Sequence, residues 1–198
     1  MSENQTQAHA QIRKLIEEYT PQCDTEVSDK ATILTYIDTF PDILMRENIF
    51  AHFTSIAFIM NKSRTKTLLV NHNITQSWTP PGGHSEGDPD LLRVAIKEAK
   101  EETGVVATPI SDQIISLDII PIWGHYRNGE WVSAHQHLNV VYALEADEND
   151  PLTILPEENS DVKWVPIEHI IEVNKYISSR DFQKKVLERI AGKFINKK

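Results

Sequence analysis

The sequence predicts a mixed α+β sandwich. Three observations lead there: β-patterned segments lie on both sides of one central amphipathic helix, helical patterns open and close the chain, and no internal repeat or low-complexity tract interrupts them. At 198 residues the chain suits one domain with additions, and it can bury a sizeable core without disulfides or metal staples.

Taken in order, Ile12, Leu15, Ile16 and Tyr19 recur at helical spacing and Pro21 closes that segment. Ile33, Leu34, Ile37 and Phe40 repeat the pattern, with Ser28 as the expected cap and Pro41 as the stop. Residues 1–45 therefore read as a helical N-terminal extension, a cap or dimer element, ahead of a main domain at 46–198. Residues 53–60 and 67–71 read as paired strands around the turn Asn61-Lys62-Ser63-Arg64. A Pro/Gly-rich loop, Thr79-Pro80-Pro81-Gly82-Gly83, leads into a helix from Pro89 to Thr103. β-rich segments follow near 114–123, 131–145 and 161–165, then short helical patterns near 167–173 and 180–194.

Hydrophobic residues make up 40% and charged residues 25%, an ordinary globular balance. No apolar run approaches the ~20 residues of a membrane span, and the polar first 14 residues lack the apolar stretch of a signal peptide. A cytoplasmic protein without a membrane partner is expected. Cys23 is the sole cysteine, which excludes an intramolecular disulfide and a thiolate-rich zinc site. With 29 acidic and 20 basic residues the formal charge is −9, so no surface for gripping a long nucleic acid is advertised. A small phosphorylated substrate is compatible with that charge, because divalent cations bridge carboxylates to phosphate oxygens.

The chemistry concentrates in the central helix and its flanks. Asp88 is placed as N-cap, Pro89 as first helical residue, Asp90 as a complement to the helix dipole, and Gly104 as the left-handed stop. Leu92, Ala95, Ile96 and Ala99 share one face at i, i+3, i+4 and i+7. With Glu98 at zero, Glu102 lies about 40° to one side and Glu101 about 60° to the other, on an arc away from that apolar face. Like charges at this spacing repel by a few tenths of a kcal/mol on an isolated helix. A divalent cation with a preference for hard oxygen ligands, Mg2+ or Mn2+, turns the repulsion into ligation. A solvated helix end screened by Lys97 and Lys100 is the bland alternative.

The stretch from Gly83 to Val105 resembles the Nudix box. Gly83 matches its first Gly, Glu98 the Glu after its Arg, Glu101 and Glu102 its acidic pair, and Gly104-Val105 its close. Trp78-Thr79-Pro80-Pro81-Gly82 is similar to the family's lead-in, and the strand order is similar from about residue 50 to 170. Two positions depart: Pro89 stands where the family has its first Glu, and Lys97 where it has Arg. Lys keeps the charge but loses the planar fork; Asp88, Asp90 or Glu86 are candidates for the missing loop carboxylate.

The resemblance implies a Nudix-like α/β/α sandwich with a mixed sheet, and a pyrophosphatase-type hydrolase acting on a nucleoside diphosphate linked to another group. It implies Glu98, Glu101 and Glu102 as metal ligands, joined by the Gly83 carbonyl, with Lys97 in the catalytic set and Gly82 and Gly83 against the substrate. Mg2+, or Mn2+, then withdraws charge from the phosphoryl oxygens and lowers the pKa of a water, and a carboxylate removes its proton. Glu102 or Glu98 can double as that base, with Glu157 and Glu158 as further candidates beside the plain reading of an exposed acidic loop.

His135, His137 and Asn139 alternate along a strand and project from one face. They read as a substrate wall, with His125, Tyr126, Arg127 and Trp131 just upstream supplying an aromatic ring to stack on a base. Zinc binding by His-x-His and a solvent-facing strand are the rival readings. Trp164 reads as core, Trp78 as an anchor of the loop. Two other function classes remain: a non-catalytic nucleotide-sensing module of the same fold, motivated by Pro89 and Lys97, and an isomerase of allylic diphosphates, disfavoured because Cys23 lies in the N-terminal helices.

Overall fold

The computed structural model describes residues 3–127, 129–174 and 177–192. The chain forms two compact units. The first takes the chain up to Ser55 together with Gly83–Val94 and Ser116–Val140; the second takes Ile56–Gly82, Ala95–Ile115 and the chain from Val141 onward.

In the first unit, helix α1 (Glu3–Glu18) packs on α2 (Asp24–Thr39), and α2 on strand β6 (Ser116–Ile122). The helix-period residues Ile12, Ile16, Ile33 and Ile37 are fully buried within the chain itself, so those positions present no apolar surface to a second copy. The expected cap at Ser28 is corrected: α2 begins at Asp24 behind an extended Cys23, and Ser28 lies inside the helix. A buried carboxylate explains the early start. Glu26 accepts hydrogen bonds from Tyr19 Oη at 2.7 Å, Gln22 N at 2.9 Å, and Ser116 Oγ and Leu117 N at 3.2 Å each. That latch ties the first turn of α2 to the α1–α2 link and to β6, and only a helix already formed at residue 26 can supply it.

The first unit also holds the start of β1 (Ala51–Asn61), most of β4 (Gly82–His84), the hairpin β7 (His125–Arg127) and β8 (Glu130–Val132), and the start of β9 (His135–Ala146). Strand β4 pairs with β1, and β6 with β9.

In the second unit the strands run in the order β10-β2-β1-β9-β5, with β3 beside β2. Here β2 is Lys66–His72, β3 Ser77–Thr79, β5 Thr108–Pro109 and β10 Asn159–Pro166. The predicted turn at 61–64 closes β1 on β2. Asn61 Oδ1 accepts from the N–H groups of Thr65 and Lys66 at 2.9 and 3.0 Å, and Arg64 takes φ +56°, the side-chain mimicry of a backbone turn that suits Asn. Phe58, Met60, Leu69, Val141, Ala143 and Val165 from the strands meet Val186 and Ile190 of α4 (Ile177–Ile190) in one core. Trp164, expected in the core, is half-buried, and Trp78 packs against the core with Lys163 Nζ 3.8 Å over its ring.

The pattern near 167–173 becomes a short 3-10 turn, Ile167–His169, followed by turns, with Ile170 N donating to Ile167 O at 3.3 Å and Glu172 N to His169 O at 3.0 Å. The last helix starts three residues earlier than the expected 180, and residues 193 and 194 lie outside the described residues. Helices around a sheet are the α+β class the sequence predicts.

Candidate functional site

Helix α3 (Leu91–Thr103) carries the acidic residues, and its ends are set by specific bonds. The expected cap is corrected by two positions. Asp90 Oδ1 accepts from Arg93 N at 3.1 Å, making Asp90 the N-cap, while Asp88 Oδ1 accepts from Asp90 N at 2.9 Å and orients it. Pro89 therefore precedes the helix. At the other end Gly104 takes φ +80° and donates to Lys100 O at 2.9 Å, as its left-handed role requires.

The buried arc of α3 is also displaced from the expected one. Leu91, Val94, Ala95, Ala99, Glu102 and Thr103 are buried, whereas Leu92 and Ile96 are only half-buried. Polar bonds draw the last turn inward. Glu102 Oε1 accepts from Gly82 N at 2.7 Å, its carbonyl accepts from Asn159 Nδ2 at 3.1 Å, and Thr103 Oγ1 donates to Ala99 O. Glu102 is 1% exposed. A glutamate expected on an open arc is thus a buried one.

Burial pushes the Glu102 carboxyl up to about 8, helped by Glu158 and Glu98 and opposed by the Gly82 N–H. Glu98 is likewise raised, first by burial and then by the charges of Glu101 and Glu158, against the pull of Lys97. The charge of Glu158 therefore reaches both, while Glu157 is exposed. Lys97 Nζ donates to Glu98 Oε1 at 3.1 Å and Glu101 Oε2 at 2.8 Å, so its ammonium bridges those carboxylates and its own pKa rises. Glu101 is half exposed beside it. Glu98 and Glu102 offer hard oxygen donors of the kind a dication takes, with Lys97 bridging Glu98 to Glu101; among the described residues no three acidic side chains bring their ligand atoms within 4.8 Å of one another.

The three candidates for a loop carboxylate each have another partner. Glu86 pairs with Arg46, Asp88 with Arg93 through two hydrogen bonds at 2.9 and 2.7 Å, and Asp90 caps α3.

The first unit contains a histidine cluster that sequence reasoning saw only in part. His135 and His137 project from one face of β9 as expected, but they meet His52 of β1, with ring centroids 4.9 and 5.0 Å away, and His84 lies 5.0 Å from His137. That face is not open to solvent along its length: His135 and His137 are half-buried, and Asn139 is buried with its Oδ1 accepting from Thr54 Oγ1, while Leu138 and Val140 are buried on the other side. His52 was the missed residue. Its signal was alternation at the start of β1, one strand away from the His-x-His pair. His84, adjacent in sequence to Gly83, was missed as well. Burial first, then Arg46 and His52, push His84 down to about 3, and burial holds His52 and His137 below the usual imidazole range. Trp123, Tyr126 and Trp131 stand exposed at the β7–β8 hairpin, the last two edge to face at 5.1 Å.

With that geometry in place, the comparisons with known proteins decide the family. The NUDIX domain model matches residues 51–190. The chain belongs to the NUDIX domain family. Among curated relatives, the asymmetrical bis(5'-nucleosyl)-tetraphosphatase of Rattus norvegicus is 28% identical over 100 residues, covering 50% of this chain and 62% of that protein. The chain thus spans about three fifths of that relative's length. Phosphatase NudJ of Escherichia coli K12 is 24% identical over 131 residues, 64% of this chain and 76% of that one. The fold is shared with solved structures: MutT protein from Methanosarcina mazei Go1 (TM-score 0.54, 21% identity, covering 75% of this chain and 97% of that one), and an Ap4A hydrolase of C. elegans in a binary complex (0.53, 20%, 71% and 98%).

Proposed function

We propose that this NUDIX protein is a hydrolase of a diphosphate linkage in a nucleoside diphosphate derivative or related small molecule, dependent on Mg2+ with Mn2+ as a substitute. One observation carries the reading: Glu98 is half-buried and Glu102 buried on α3, where loss of water first and neighbouring carboxylates second raise their affinity for protons, a cost that a dication would relieve. Glu98, Glu101 and Glu102 would hold the ion, with the Gly83 carbonyl as a further ligand and Gly82 and Gly83 against the diphosphate. A dication held by these residues would supply charge withdrawal from the phosphoryl oxygens and a more acidic water.

The chain's own residues do the rest. Gly82 N–H fixes one Glu102 oxygen, so that carboxylate is positioned before substrate arrives. Lys97 orients Glu98 and Glu101. Glu98, with a side chain 12% exposed and an affinity for protons raised by burial, is suited to take the proton of the attacking water. Residues 46–198 form the catalytic domain in this reading, 1–45 are an added helical extension, and the protein acts on small molecules in the cytoplasm.

The names of the relatives make dinucleoside polyphosphates the first substrates to try. A panel of these, nucleoside triphosphates, nucleotide sugars and coenzymes, assayed with Mg2+ and Mn2+ for nucleotide release, tests the proposal. Metal-dependent product that vanishes in Glu102→Gln supports it. No product from any member moves the weight to a nucleotide-sensing module, the reading favoured by Pro89 and by Lys97 standing between Glu98 and Glu101.

A further inference from the structure

The histidine cluster has the architecture of a metal centre with nitrogen donors. His135 and His137 are two residues apart on β9 and so share a face, and His52 comes from the neighbouring strand β1. Their ligand atoms all lie within 4.8 Å of one another, and among the described residues no other group of three or more His, Cys, Asp or Glu is so convergent. His135 Nε2 and His137 Nε2 are 3.2 Å apart. Three imidazole nitrogens on a tetrahedral zinc ion, at about 2.0–2.1 Å each, sit about 3.3 Å from one another. One edge of that triangle is already at ligation distance.

The outer bonds orient the rings in the way metal-bound histidines require. His52 Nδ1 faces Asn48 O at 3.0 Å and His135 Nδ1 faces Ser133 O at 2.8 Å. A backbone carbonyl can only accept, so each Nδ1 carries the proton and each Nε2 turns a lone pair inward. For His52 that inward nitrogen is buried, on a residue 4% exposed, and it meets no hydrogen-bond partner among the described residues. A buried imidazole nitrogen without a partner is costly, and a hydrogen bond between His135 and His137 does nothing for it. A cation at the centre satisfies all three. The nearby cation Arg46 is paired with Glu86.

We propose that His52, His135 and His137 bind a transition-metal dication of the zinc class through their Nε2 atoms, leaving a fourth position for water or an anionic oxygen. Nitrogen donors distinguish this centre from the all-oxygen carboxylate group, which suits Mg2+ or Mn2+. His84, whose ring lies 4.9 Å from that of His52, forms part of its wall.

The test uses the full chain, stripped with chelator and titrated with Co2+ as a spectroscopic probe. One equivalent should give visible bands with the intensity of a four-coordinate ion rather than the weak bands of an octahedral all-oxygen one, and Zn2+ should bleach them. The bands should persist in Glu98→Gln and Glu102→Gln and disappear in His135→Gln and His137→Gln. Bands that never form, or that survive both histidine changes, overturn the proposal. Where a histidine variant fails to fold, imidazole nitrogen resonances of the wild-type chain decide the matter: Zn2+ must shift the Nε2 signals of the three residues, and unmoved signals refute the site. Neither readout is turnover, so failure here is distinct from failure of the hydrolase reading.

Discussion

Replacing Glu102 by Gln should stabilise the metal-free protein while abolishing its proposed activity. The carboxyl titrates near its ordinary 4.5 in the unfolded chain and at about 8 in the folded one. The folded state therefore holds an extra proton between those values, so its stability contribution is present below pH 4.5 and is lost as pH rises towards 8. At 1.36 kcal/mol per unit, the carboxyl costs the metal-free fold roughly 3 kcal/mol at pH 7 and roughly 5 at pH 9, relative to a neutral isostere. Gln retains an oxygen to accept the Gly82 N–H. For a chain of this size 1 kcal/mol moves Tm by about 2–4 °C, so the variant should melt about 6–12 °C higher at pH 7 in EDTA. The two proteins should converge at pH 4. Thermal and urea unfolding across pH 4–9, with and without saturating Mg2+, measure this, and Mg2+ should reverse the order by stabilising only the wild type. A variant no more stable than wild type in EDTA at pH 9 would show that Glu102 is not held under electrostatic stress.

Other positions give equally direct outcomes. Lys97→Met should lower kcat by about tenfold or more with KM little changed, because Glu98 and Glu101 lose their orienting bridge, while Lys97→Arg should keep most turnover; equal kcat in both variants removes Lys97 from the catalytic set. Glu26→Ala should cost about 2–4 kcal/mol in chemical denaturation, since the buried donors Tyr19 Oη and Leu117 N lose this acceptor together with Gln22 N; a loss under about 1 kcal/mol would contradict the latch. Gly104→Ala should destabilise by about 1–2 kcal/mol for the left-handed backbone alone, and further because its Cβ would stand 2.5 Å from Thr153 Oγ1; unchanged stability would deny both constraints.

The parts of this molecule legible in its sequence are those written in local chemistry. Asn61 to Arg64 announced a turn, Gly104 a helix stop, and the Gly83–Val105 stretch a loop–helix–loop, because each rests on a residue whose conformation or spacing has few alternatives. Helix starts were less legible. Asp88, Pro89 and Asp90 all satisfy the rules for an N-terminus, and a network through Arg93 selected Asp90. Periodicity placed Glu102 on an open arc, whereas contacts to Gly82 and Asn159, distant in sequence, buried it. The His-x-His pair was visible on β9, but nothing local joined it to His52 more than 80 residues earlier; strand order did that. Similarly, Glu26 reads as one more surface acid until β6 arrives to bond it.

The proposed chemistry depends throughout on a dication at the end of α3. Mn2+ binding to the chelator-stripped protein, followed by the loss of the free-ion resonance signal in a His135→Gln background that disables the imidazole cluster, isolates the carboxylates. Uptake should be clear with Glu98 and Glu102 intact and at least about thirtyfold weaker when both are Gln, a difference of about 2 kcal/mol. Equal uptake by the two proteins would mean these glutamates hold no ion.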